Sequence, residues 1–202
     1  IMKGVNCAVN IIPDEMVIES YVRGSNIEAM KRENKKFNRA LAGAAAAIGC
    51  ELHIDDKPGY SPEIHDVAYM QLVEEVCKDL AGADRVNFQY DSWSTGSSDF
   101  GDLTCVMPGI QFTSAGASGT GHGINYYLTD PERLLINSIK AQLLVADKLL
   151  KDDAAKAKEI VANYKAPYAS IPEYLDAIGD FILDRDVVEY EENGNVKLNL
   201  AK

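Results

Sequence analysis

The chain has 202 residues, of which 47% are apolar and 25% charged, and its formal net charge is -11 at pH 7. That length and apolar content suffice for a buried core in one large domain or two small ones, and the acidic balance excludes nonspecific nucleic-acid binding, which needs a basic surface to displace counterions. No apolar run approaches the roughly 20 residues of a membrane-spanning helix, and no charged n-region with an apolar core and cleavage site opens the sequence, so a soluble, cytoplasmic protein with no membrane partner is expected.

Ile1 and Met2 begin directly in strand-like sequence, and a missing N-terminal portion is expected. From Val5 to Gly24 the chain reads VNCAVNIIPDEMVIESYVRG, two β-branched runs on either side of Pro13-Asp14-Glu15, which predicts a pair of adjacent strands. Ile27, Met30, Phe37, Leu41, Ala44, Ala45 and Ile48 then recur at helical spacing, with Ser25 or Asn26 to cap the start and Gly49 to stop the helix. Residues 51–54 predict a further strand with Leu52 and Ile54 on one face. Residues 1–56 are therefore read as a β-β-α-β unit.

The segment KPGYSPEIHD at 57–66 carries two prolines and a glycine and marks a domain crossing. A helix around 64–81 follows, with Val67, Met70, Val73 and Val76 or Cys77 on one face. Residues 86–89 and 110–113 predict strands, and the small polar stretch 93–102 and the Gly/Ser-rich stretch 114–123 predict loops at strand ends, where sites usually lie. Asp130-Pro131-Glu132 predicts the start of a long helix running to about Leu150, with Leu135, Ile139, Leu143 and Ala146 as its stripe. The tail predicts a helix from near Ile171 and a final strand-turn-strand at Asn193-Gly194.

Cys7, Cys50, Cys77 and Cys105 show neither metal-knuckle spacing nor disulfide density, so reduced, mostly buried thiols are expected. His122 sits in GASGTGHG between a predicted strand and the long helix. By spacing alone it reads as a surface or hydrogen-bonded histidine, because no HxxxH or HxD partner lies beside it. The glycines are no dinucleotide fingerprint, since the helix begins only after Thr129. Asp99 could be a ligand, an outer acceptor or a helix cap, and Asp102 reads as a solvated or capping carboxylate. His65 beside Asp66 reads as part of a helix start, and His53 as the polar side of a strand. The ten tyrosines have no stacking spacing.

Taken as a block, GSSDFGDLTCVMPGIQFTSAGASGTGHGINYYLTDPERLLINSIKAQLLVADKLL resembles the C-terminal catalytic signature of the superfamily that includes aminoacylases, aminobenzoyl-glutamate hydrolases and succinyl-diaminopimelate desuccinylases. The resemblance runs from about residue 4 to 150 and continues more weakly into the tail. It implies an α/β fold in which residues 1–56 are the second half of an α+β lid and dimerisation domain. Residues 57–202 would then be the C-terminal part of a zinc-peptidase-like catalytic domain with a central sheet. It also implies that His122 is a metal ligand and that Asp99 organises the site beside the metals, as an outer acceptor that fixes a bound imidazole. Asn10 and Arg23 would reach the substrate carboxylate, which suits the two-pronged guanidinium, and the backbone around Gly96, Ser97 and Ser98 would meet a carboxylate where helix N–H groups converge.

The same resemblance implies a metal-dependent hydrolase cleaving the amide bond of N-acyl or N-aminoacyl amino acids or peptides. Such an enzyme carries two divalent ions, zinc or manganese, which activate a water, and it is homodimeric through the lid. The resemblance places the His-x-Asp motif, bridging Asp and Glu-Glu pair of that machinery in an N-terminal half upstream of these residues, so no catalytic residue is expected here and the segment alone is expected to be inactive. The alternative is a noncatalytic assembly or binding fragment that keeps the fold without the metal half.

Overall fold

The structure, a computed structural model, describes residues 1–5 and 8–200. Asn6 and Cys7, which fall within the first of the two expected strand runs, lie outside the described residues. Among the described residues the chain is mixed α/β, with five α-helices and two-stranded antiparallel sheets only. It divides into two units, Ile1–Lys57 with Phe181–Lys202, and Pro58–Asp180.

In the first unit β1 (Met2–Val5) pairs with β2 (Glu15–Ile18), Met2 opposite Ile18. Helix α1 (Ile27–Ala47) is capped by Asn26, whose Oδ1 accepts the Ala29 N–H at 2.8 Å, and the chain leaves it through Gly49 at φ +75°. Of the apolar stripe read in the sequence, Ile27 is buried and Met30, Phe37, Leu41 and Ala45 are half-buried, while Ala44 and Ile48 are exposed; Asn38 and Ala42 are buried as well. Asn34 and Asn38 both donate to Asp56 Oδ2, at 2.5 and 3.0 Å, and Ala42, Ala45 and Ala46 meet the core.

Strand β3 (His53–Asp56) pairs with β6 (Leu183–Asp186), Ile54 opposite Arg185. Residues 181–202, which the sequence reading attached to the 57–202 segment, therefore fold with the first unit. The Val187 N–H extends the junction to Leu52 O, and β7 (Val188–Tyr190) turns through Asn193-Gly194 into β8 (Val196–Leu198). Ala42, Ile54, Leu183, Val187 and Val188 form this core, with Leu52 packed against it.

In the second unit α2 (Val67–Ala81) is capped by Asp66, which accepts the Tyr69 N–H at 2.8 Å. A short α3 (Phe100–Thr104) follows, then the ribbon of β4 (Ala117–Ser118) and β5 (Tyr127–Leu128), then α4 (Asn137–Asn163) and α5 (Ile171–Gly179). Asp130 caps the wider turn Glu132–Ile136 that precedes α4 by accepting the Arg133 N–H at 3.0 Å. Regular helical backbone in α4 is interrupted from Lys151 to Ala154, where Asp152, Asp153 and Ala154 are left-handed, and resumes up to Asn163.

The core of this unit is Leu72, Val73, Val76 and Val145, with Phe88, Ile110 and Phe112 packed on it. Val145 and Ala141 are the buried positions of α4's first half, so the expected stripe of Leu135, Ile139 and Leu143 faces out. Among the described residues the second unit has no sheet larger than the two-stranded β4–β5 ribbon, where a central sheet was expected. Residues 86–89 and 110–113 lie against the helices, but among the described residues neither segment belongs to a ladder.

No helix among the described residues is long and apolar enough to cross a membrane. The accessible surface is 14076 Å²; a compact monomer of this length exposes about 9,000 Å², and even two independent globules of the two units' sizes only about 11,000 Å². The excess includes the apolar outer face of α4 and the β1–β2 ribbon, all of whose strand residues are exposed.

Candidate functional site

His122 occupies the tip of the β4–β5 ribbon, where the sequence predicted only an irregular loop. Ala117 pairs with Leu128 and Ser118 with Tyr127. Two backbone turns close the tip, Gly123 N–H to Thr120 O at 2.8 Å and Tyr126 N–H to Gly123 O at 3.1 Å. Gly119, at φ +103°, passes so close that an added Cβ would lie 2.1 Å from Asn125 O, which is why glycine is needed there. His122 itself has φ +62° and is exposed. A non-glycine residue held left-handed at a ribbon tip is uncommon, and such strain gathers at functional positions.

Gly96, Ser97, Ser98 and Asp99 lead into α3. The Gly96 N–H is already used within its turn, donating to Ser94 Oγ at 3.0 Å. Ser98 Oγ accepts the Phe100 N–H at 3.3 Å and donates to Glu63 Oε1 at 2.9 Å, while Glu63 Oε2 lies 3.5 Å from His65 Nε2. The helix start is thus capped by Ser98 rather than by Asp99, whose exposed carboxylate makes no capping bond. Glu63 was not singled out in the sequence. It stands 35 positions from Ser98, and no local pattern could have joined them.

Asp102, read from the sequence as a solvated or capping carboxylate, is neither. Its Oδ1 accepts the Ser61 N–H at 2.8 Å and the Tyr174 hydroxyl at 2.7 Å, and that hydroxyl also lies 2.9 Å from Ser61 Oγ. Gly101 allows the approach, since a Cβ there would sit 1.9 Å from Ser61 O. Beside it the buried Thr104 takes the Ile64 N–H on Oγ1 at 3.0 Å, and Tyr164 donates to Thr104 O. Burial pushes the Tyr164 hydroxyl up to about 12 and the Tyr174 hydroxyl higher still, so both remain hydrogen-bond donors. This network fixes the helix that follows the Gly96–Asp99 turn.

Asn10 and Arg23 belong to the first unit. Asn10 is exposed in the turn between β1 and β2. Arg23 does not end a strand as expected: β2 stops at Ile18, and the guanidinium stands over the Tyr21 ring, 5.5 Å from its centroid, a cation–π arrangement. The candidate residues are thus divided between the units, with Gly96, Ser97, Ser98, Asp99 and His122 in the second. Among the described residues no three His, Cys, Asp or Glu side chains converge as a metal ion requires. A catalytic zinc takes three protein ligands and a water; of such a set the described residues offer His122 alone.

Comparison with known proteins gives a distant likeness to an amide-cleaving enzyme. The relative is the N-acetyldiaminopimelate deacetylase of Oceanobacillus iheyensis, 24% identical over 103 residues, which are 51% of this chain and 27% of the deacetylase. The matched part thus spans about a quarter of that relative's length. No family model matches the chain, and no solved structure matches it.

Proposed function

We propose that this chain is the C-terminal part of a metal-dependent hydrolase that cleaves the amide bond of an N-acyl or N-aminoacyl amino acid. The observation that carries the reading is the His122 ribbon tip, where a left-handed backbone sets an exposed imidazole between two glycines. The distant likeness to a deacetylase supports the reaction class, and the uncovered apolar surface is what a part packed against further polypeptide would have.

In this reading His122 supplies one ligand to a pair of zinc or manganese ions whose other ligands come from outside the chain. Those ions would lower the pKa of a bound water and polarise the scissile carbonyl. This chain's own residues bind and position: in the first unit Arg23 and Asn10 take the substrate carboxylate, and in the second the Gly96–Ser98 turn, anchored through Ser98 to Glu63, presents the amides of Ser97 and Ser98 beside Asp99. The β1–β2 ribbon and α1 supply the homodimer surface.

The test is release of free amine from N-acetyl amino acids by the full-length polypeptide that contains this chain, with and without chelator, and by the 202-residue chain alone. Chelator-sensitive turnover by the full polypeptide, lost in His122→Ala and absent from the chain alone, is expected. Chelator-insensitive turnover, or an unaffected His122→Ala, overturns the reading in favour of a noncatalytic fragment or another chemistry.

A further inference from the structure

The β3–β6 junction carries a charged cluster that the proposed hydrolase does not use. On its outward face His53 lies opposite Asp186 and diagonal to Asp184, while Asp55 lies opposite Asp184 and is paired with Lys57 at 2.7 Å. His53 Nδ1 is 2.8 Å from Asp186 Oδ1, and Nε2 is 3.0 Å from Asp184 Oδ1. Ionised carboxylates only accept, and a neutral imidazole carries one N–H. Both contacts can be hydrogen bonds only if the ring is the imidazolium.

We propose that His53 is a proton-operated clasp: as the imidazolium it donates one N–H to each of two β6 carboxylates and holds β6 on β3, and on deprotonation it must release one of them. The released nitrogen would turn its lone pair toward a carboxylate oxygen, which repels it. What the clasp closes is a contact 133 positions apart in the chain, by which residues 181–202 join the first unit.

The groups acting on the ring are Asp186 and Asp184; Asp55 and Lys57 complete the charged set on that face, and the opposite face turns Ile54 and Leu183 into the core. The hydrogen bond that the ring donates to Asp186, foremost, holds its pKa above the ordinary 6.5, with Asp184 adding to the effect. Because the folded value is raised, the clasp contributes fully below 6.5, the value of the unfolded chain, and its contribution is lost as pH rises through the folded value. The switching window therefore lies on the alkaline side of 6.5.

The experiment is a pH titration of the 202-residue chain by nitrogen-edited NMR of its histidine rings, with hydrogen exchange of the β6 amides measured across the same range and corrected for intrinsic rates. His53 is expected to titrate above 6.5 with both ring nitrogens protonated below its midpoint, and Asp186→Asn and Asp184→Asn each to bring the midpoint down. Protection of β6 amides should fall about two- to fivefold through that midpoint, as befits exposed ion pairs. It should be flat in His53→Gln, while the amides of α2 serve as the unaffected reference. All three variants alter exposed side chains, and circular dichroism verifies their fold. A native midpoint at or below 6.5, or β6 protection with the same pH dependence in His53→Gln as in the native chain, overturns the proposal.

Discussion

Tyr174→Phe removes a single oxygen from the second unit, and the structure gives the cost. The lost hydroxyl donates to Asp102 Oδ1 at 2.7 Å and meets Ser61 Oγ at 2.9 Å, and both Tyr174 and Ser61 are buried, at 5% and 3% exposure. A hydrogen bond to a charged acceptor is worth about 1.5–3 kcal/mol, and leaving a buried hydroxyl unpaired adds to that. Asp102 keeps the Ser61 N–H, which limits the loss. The expected destabilisation is about 2–3 kcal/mol, or a fall in Tm of roughly 6–15 °C for a unit of this size. Urea unfolding followed by circular dichroism measures it, with Tyr126→Phe as the exposed reference expected to stay within about 0.5 kcal/mol. Asp102→Asn, which keeps an acceptor but loses the charge, should cost less than Tyr174→Phe. A Tyr174→Phe variant within about 0.5 kcal/mol of the native chain would refute the network as a structural tie.

In an alkaline absorbance titration, Tyr164 and Tyr174 should ionise after the exposed tyrosines, Tyr164 near 12; because burial raises their folded values, stability should fall as pH climbs above the unfolded value of about 10. Simultaneous ionisation of all the tyrosines in the folded chain would contradict the burial of these two. Arg23→Ala in the full-length polypeptide should raise KM for carboxylate substrates, by up to about 2–5 kcal/mol in binding if the pair is desolvated; unchanged kinetics would remove Arg23 from the site. Val73→Ala, at a fully buried position in the α2–α4 core, should cost about 1–3 kcal/mol in urea unfolding.

Features that need only three or four consecutive residues were legible. Asn26, Asp66 and Asp130 accept N–H groups three positions on, and Asn193-Gly194 turns the last two strands, because caps and turns are chemistry within one turn of chain. Elements that need a distant partner were not. Residues 86–89 and 110–113 have strand composition, yet a strand exists only where another edge meets it, and none of the strands among the described residues does. The buried face of α4 was misassigned for the same reason: Leu135, Ile139 and Leu143 keep helical spacing as well as Ala141 and Val145 do, and periodicity cannot choose between two apolar faces. In the candidate site, His122 and the Gly96–Asp99 turn were singled out by the resemblance of the block that holds them, whereas Glu63, Ser61 and Tyr174 join it through bonds spanning 35 to 113 positions.

The ribbon tip offers a way to separate two reasons for a histidine at 122. Held at φ +62°, any side chain with a Cβ pays roughly 1 kcal/mol that glycine does not, so His122→Gly should leave the Tm of the 202-residue chain unchanged or raise it. His122→Ala keeps the Cβ and should match the native Tm. If the imidazole serves only the turn, either replacement should leave metal content and turnover of the full-length polypeptide intact. If it is a ligand, both should lower metal occupancy and reduce kcat by orders of magnitude, although one of them relaxes the backbone. Gly119→Ala is the opposite case: it adds a Cβ 2.1 Å from Asn125 O at φ +103° and should disorder the tip with no change of ligand. Gly121→Ala, whose Cβ would meet open space, should be tolerated. Metal analysis and melting curves on the four variants together decide the matter. Loss of metal in His122→Gly without loss of Tm identifies a ligand held at the expense of backbone strain, whereas a loss of stability above about 1 kcal/mol in that variant would mean that the imidazole supports the ribbon itself.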